Sequence, residues 1–208
     1  RPDGVIHLGD LTDGLLDKET CQKYSHRVLD RIIGWKRPFY LTIGNHDANY
    51  FHDNPYKLSE TEQYEYYLKD TVSGNPSRDR LWYDAEYPEQ KLLFLFLHSY
   101  NNEETLRYGF PQEELDWVEE RLAQLPEEYC IVVCSHEAPL ARLDYWVSEV
   151  RNGEKLTRLL DRWNVTHDSR ILAFIHGHTH ADYVYRKWSF PIVSVGCSKL
   201  EYFEDKRP

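Results

Sequence analysis

The stretch Phe39-Tyr40-Leu41-Thr42-Ile43-Gly44-Asn45-His46-Asp47 decides how the rest of the chain is read. Its first five residues are the apolar, β-branched and aromatic mixture of a short buried strand. The glycine then lets the backbone turn sharply, and an amide, an imidazole and a carboxylate follow without a gap. A turn alone does not need all three, so the loop reads as a binding loop at a strand end.

Working outward, the same arrangement recurs. Val5 to Leu8 runs into Gly9-Asp10-Leu11-Thr12-Asp13, Tyr129 to Cys134 into Ser135-His136-Glu137, and Ile171 to Ile175 into Gly177-His178-Thr179-His180. Helical periodicity fills the intervals. A helix over about 17–34 places Cys21, Tyr24, Val28 and Ile32 on one stripe. Another, opened by Pro111 in its first turn, aligns Leu115, Val118, Leu122 and Leu125. A third, over 154–163, aligns Leu156, Leu159, Leu160 and Trp163. Further strands are predicted at 81–84, 91–97, 183–188 and 192–195, the last two as a hairpin. Strand–helix alternation that ends in consecutive strands predicts an α/β sandwich with a mixed sheet, and in such sheets ligand sites lie beyond the strand ends. Residues 49–80, rich in Tyr and Phe, read as an insertion. It is either a cap over a substrate or a unit packing its own small core around a helix near Glu60 to Lys69.

Composition narrows the function. The 208 residues carry 25 Lys+Arg against 35 Asp+Glu, a net charge of −10, with no basic stripe. Gripping long nucleic acid by charge alone needs clustered Lys and Arg, so that class of partner is not expected. The longest apolar run, Leu92 to Leu97, is far short of the roughly 20 residues of a membrane-spanning helix. Cys21, Cys130, Cys134 and Cys197 fit neither a CxxC metal pair nor a disulfide framework. Asn164-Val165-Thr166 has the pattern of a glycan acceptor, relevant only to a secreted protein. No compartment is fixed by the sequence; the cytoplasm is the expectation.

Carboxylate, amide oxygen and imidazole together suit Mn²⁺, Fe or Zn²⁺ better than thiolate-seeking metals or a pure Mg²⁺ or Ca²⁺ cage. Their order is informative: a carboxylate, then an amide with an imidazole, then a solitary His, then paired His. With these motifs the chain resembles the calcineurin-like metallophosphoesterases over Val5 to about Val195. The resemblance implies a four-layer α/β/β/α sandwich with mixed sheets and a metal site at the strand ends. It implies one such domain over 1–208, with 49–80 as the insertion or cap. Two metal ions, Mn, Fe or Zn, are implied. Asp10 would bridge them, Asn45, His136 and His178 would complete one shell, and His180 would ligate the other. His46 would face the substrate and Asp47 would orient it. The family's upstream Asp-x-His motif has no counterpart in the eight residues before Gly9, so the expectation is a native chain that extends further. His7, His26, His52, His98, His167 and His176 are left outside the site.

The chemistry expected of this set is hydrolysis of a small phosphate ester. Paired cations acidify a bridging water and polarise phosphoryl oxygens, and the resulting hydroxide attacks phosphorus in line. Monoesters, diesters and pyrophosphates all fit; Arg151-Asn152-Gly153-Glu154 is similar to bacterial phosphodiesterase-like members. A zinc hydrolase of metallo-β-lactamase type fails because His180-Ala181 stands where Asp-His is required. The remaining rival is a metal-free or single-metal scaffold on the same fold, for which degraded ligand positions are the expected mark.

Overall fold

The computed structural model describes residues 2–197. Two sheets face each other. The smaller pairs β1 (Val5–His7) in parallel with β2 (Phe39–Leu41), joined by the crossover helix α1 (Lys18–Ile33). The larger comprises β3 (Tyr83–Tyr87), β4 (Leu92–Phe96), β5 (Cys130–Ser135), β6 (Ile171–His176), β7 (Tyr183–Tyr185) and β8 (Ile192–Ser194), in the order β3-β4-β5-β6-β8-β7. Its four central strands are parallel and its two edge strands antiparallel. Helices α3 (Gln112–Ala123) and α4 (Gly153–Thr166) supply two of its crossovers. The predicted mixed α/β sandwich is what is found.

Alternation along the central strands separates two cores. Leu93, Leu95, Ile131, Val133, Ile171 and Phe174 meet Leu115, Val118 and Leu122 of α3 and Leu156 and Leu160 of α4. On the opposite face, Phe96, Val132 and Cys134 meet Phe39, Tyr40 and Leu41 of β2 and Cys21 and Leu29 of α1. The Tyr40 ring stacks on Phe96 at 5.0 Å, and Tyr83 stacks on the same ring at 4.8 Å. The Tyr83 hydroxyl donates to the Leu41 carbonyl and accepts from the Leu41 N–H, both at 2.9 Å. One side chain thereby satisfies backbone groups of β2 that would otherwise be buried without partners. Helix, small sheet, large sheet and helix pair form the four layers.

Three local expectations are corrected. The buried face of α1 is Cys21, Ser25 and Leu29, whereas Tyr24 and Val28 are 48% and 41% exposed. The polar Ser25 hides the true stripe: its hydroxyl donates to the Cys21 carbonyl at 2.8 Å and is thereby buried without cost in unmet hydrogen bonds. Pro111 is the N-cap, with ψ of 155°, and the first helical turn begins after it. β3 lies at 83–87, paired antiparallel with β4 from Tyr83 opposite Phe96 to Tyr87 opposite Leu92, and its Asp84 and Glu86 are both bound by Arg121 of α3.

Within 49–80, a turn of α-helix, α2 (Glu60–Gln63), runs into a π-helical turn, Tyr64–Leu68. Leu58, Tyr67 and Leu68 are fully buried and join the core shared by α1 and β2. Asn164 of the glycan-type tripeptide is fully buried. Its amide donates to the Ser189 carbonyl at 3.0 Å and its oxygen accepts the Ile171 N–H at 2.6 Å, so it ties α4 to β6. No helix among the described residues is long and apolar enough to cross a membrane.

Candidate metal centre

Four loops converge at the carboxyl ends of β1, β2, β5 and β6. The approach is close enough to require glycine. A Cβ at Gly44 would lie 2.3 Å from Asp10 Oδ1, and one at Gly9 would lie 2.6 Å from His136 Nδ1. Gly9 has φ of +96° and is followed by Asp10 at +59°; His178 and His180 sit at +60° and +55°. Left-handed backbone at a non-glycine residue costs on the order of 1–3 kcal/mol, and three of the predicted ligands carry it.

Asp47 holds the first two loops together. Fully buried, it accepts the N–H groups of Asp10 at 2.7 Å, Leu11 at 2.8 Å and Gly44 at 2.8 Å. The Asp10 carboxylate accepts the N–H of His46 at 3.0 Å in return. Burial, and next the charge of Asp10, push the Asp47 carboxyl up to about 6 against those three donors. The expectation that Asp47 orients His46 is therefore replaced. The His46 Nδ1 donates to the Asp13 carbonyl at 2.7 Å, and its ring packs on Phe51 with centroids 4.4 Å apart. Because a carbonyl only accepts, Nδ1 carries the proton and Nε2 is the nitrogen left for a substrate.

The donor atoms themselves crowd around one point. His136 Nδ1 is bonded to the Leu8 carbonyl, which commits Nε2 to the lone-pair role of a neutral ring. That Nε2 lies 3.2 Å from Asp10 Oδ2, 3.2 Å from Asn45 Oδ1 and 3.2 Å from His178 Nδ1. Ligand atoms of Asp10, His136 and His178 all lie within 4.8 Å of one another. His180 lines the same cavity of about 250 Å³ as Asp10, His136 and His178, but is not part of that tight group.

The electrostatics point to a cation. Burial opposes the charge of His136, yet the carboxylates of Asp10 and Glu137 raise it to about 10. Burial likewise opposes the Asp10 carboxylate, yet His136 holds it below the usual carboxylate range. Burial, and next the charge of His136, bring His178 down to about 3. One positive charge is thus favoured among the lone pairs, and in the protein alone a proton fills that role. Asp10, Asn45, His136 and His178 fit a divalent ion of the N/O-seeking kind.

Two further histidines lie outside the tight donor group: His98 is buried, and His176 Nε2 meets the Tyr183 hydroxyl at 3.1 Å. Phe51, one of the aromatics of the 49–80 stretch, stands beside His46, and the sequence alone passed over Tyr108, whose ring lies 5.7 Å from that of His178. It also passed over Asp144, whose carboxylate faces His178. All three stand in irregular loops, where no periodicity marks them.

Comparison with known proteins follows the same line. A family model described as calcineurin-like phosphoesterase matches residues 1–182. No curated protein matches the sequence. Among solved structures, a dimetal phosphatase from Danio rerio superposes with a TM-score of 0.68 at 17% identity, covering 93% of this chain and 72% of its own. The phosphopantetheinyl hydrolase PptH from Mycobacterium tuberculosis gives 0.54 at 13% identity, covering 99% and 82%. At such identities the likeness is one of fold.

Proposed function

Because this chain belongs to the calcineurin-like phosphoesterase family, we propose that it is a metal-dependent hydrolase of small phosphate esters. The observation that carries the reading is the meeting of Asp10, Asn45 and His178 donor atoms around His136 Nε2, each at 3.2 Å. Four lone-pair donors packed this tightly need a proton or a metal ion among them, and degraded ligand positions, the expected mark of a scaffold that had lost its metals, are not found at these four.

In this reading Asp10, Asn45, His136 and His178 hold one ion, while Asp10 and His180 contribute to a second. Bound divalent ions of the Mn, Fe or Zn type supply Lewis acidity and an acidified water. The remaining work falls to side chains. Asp47 fixes the Asp10 loop through its three backbone hydrogen bonds, so that the Asp10 carboxylate is preorganised. His46, its Nδ1–H held by the Asp13 carbonyl, would take up a second proton at Nε2 and, as the doubly protonated ring, pass that proton to the leaving oxygen, returning to the neutral Nδ1–H form. The Phe51 ring beside it keeps that imidazole from turning away. The net charge of −10 speaks against long polyanions and for a small ester whose phosphate is drawn in by metal alone.

The test is a panel of p-nitrophenyl phosphate monoesters and diesters, assayed after chelation and after return of Mn²⁺, Zn²⁺, Fe²⁺ or Mg²⁺. Hydrolysis restored by at least one transition metal is expected, and the preferred ester class assigns mono- or diesterase activity. Hydrolysis of neither class with any metal would return the protein to the scaffold reading.

A further inference from the structure

Asp144 follows the short turn Ala141–Leu143 beyond β5. Its loop is anchored: its own N–H donates to the Ala141 carbonyl at 3.0 Å, and the Tyr183 hydroxyl donates to the Leu143 carbonyl. The Asp144 side chain is 0% exposed and that of His178 is 7% exposed. Oδ1 accepts the Trp146 N–H at 2.8 Å, the ordinary work of an aspartate in a turn. Oδ1 also lies 3.8 Å from His178 Nε2. Oδ2 of Asp144 and Nε2 of His178 are both buried and have no hydrogen-bond partner among the described residues.

The turn accounts for one carboxylate oxygen and leaves the other, together with an imidazole nitrogen, unexplained. Buried polar groups are nearly always paired, and these two stand on facing residues. The approach from the other oxygen, Oδ1, to Nε2 is 3.8 Å, so a turn of the carboxylate or the ring is needed to bring a bond to length. A neutral imidazole has one proton. If that proton sits on Nε2 toward Asp144, Nδ1 presents its lone pair toward His136 Nε2, 3.2 Å away in the donor cluster. Histidines that ligate metals characteristically donate their other ring N–H to a carboxylate or carbonyl, which fixes tautomer and ring orientation.

We infer that Asp144 is the positioning residue of His178, accepting its Nε2–H and so committing Nδ1 to the metal centre. This rests on the reading of His178 as a ligand. Asp144→Asn keeps the size and an oxygen for the Trp146 N–H but removes the charge, so the turn survives and the imidazole loses its carboxylate. Competitive chelator titration with Zn²⁺ or Mn²⁺ should show affinity falling about 10–100-fold. The melting temperature of the metal-free protein should stay within about 2 °C, since Asn keeps the volume of the side chain and the oxygen that accepts the Trp146 N–H. Long-range ¹H–¹⁵N spectra of the metal-free protein should show His178 as the Nε2–H tautomer in the parent and as a mixture in Asp144→Asn.

His178→Ala separates the two layers of inference. Metal affinity lost in His178→Ala but unchanged in Asp144→Asn overturns the role of Asp144 and leaves the metal centre standing. Affinity unchanged in both overturns His178 as a ligand. A melting temperature that drops in Asp144→Asn with metal affinity intact makes Asp144 a turn residue only. An Nδ1–H tautomer of His178 in the parent protein overturns the inference whether or not any variant folds.

Discussion

At the scale of single residues, His46 stands apart from the candidate ligands. His46 is built into the site by its backbone, which donates to Asp10, and by an Nδ1 bond to Asp13, while its ring takes no part in the donor cluster. Replacing the ring with a methyl group removes a proton carrier and leaves every candidate ligand in place. His46→Ala should therefore lower kcat about 100-fold or more, in the range of lost general acid catalysis, with metal content per chain unchanged by elemental analysis. Loss of metal with unaltered turnover per bound ion would reverse that assignment. The candidate ligand positions Asp10, Asn45, His136 and His178 were legible because each stands just beyond the end of an apolar run. The partner of Asp47 was not: its bonds go to the N–H groups of Asp10 and Leu11, about thirty-six positions earlier, and a backbone donor leaves no trace in residue type.

At the scale of elements, strands and their ends were read more securely than helix phase. Leu93 and Leu95 against Phe96, and Ile131 and Val133 against Val132 and Cys134, are all apolar, which is the mark of strands covered on both faces. The phase of α1 was misread because the stripe through Tyr24 and Val28 looks more apolar than the buried stripe, which includes Ser25. Stability measurements discriminate the two phases. Leu29 is 2% exposed, so Leu29→Ala should cost about 2–5 kcal/mol. Val28, at 41% exposed, should tolerate alanine within about 0.5 kcal/mol. Equal costs in urea unfolding would mean that α1 is rotated from the placement described above.

At the scale of the whole molecule, the site is set on a floor of buried titratable groups whose protonation is linked to folding. Burial is the main cause of the His98 shift, which takes the imidazole from its ordinary 6.5 down to about 4. Between those values the unfolded chain binds a proton that the folded protein does not. Folding stability therefore rises with pH through this window, is complete above about 6.5, and is lost as pH falls toward 4. The full difference is on the order of 3 kcal/mol. Glu114, fully buried with its Oε1 accepting the His98 N–H at 2.7 Å, acts in the opposite sense. Burial raises its carboxyl well above 4.5, so the folded state keeps a proton that the unfolded state releases, and stability declines as pH rises beyond 4.5. The two slopes oppose each other from 4.5 to 6.5, so the parent protein alone is uninformative, and the difference between variants is what counts. Unfolding of the metal-free protein should show His98→Leu losing about one proton of pH dependence between 4 and 6.5, which makes its profile fall more steeply with rising pH than the parent's. Glu114→Gln should shift the slope the other way above 4.5. If His98→Leu leaves the difference flat, the imidazole is protonated in the fold, and a second buried positive charge stands near that of His136.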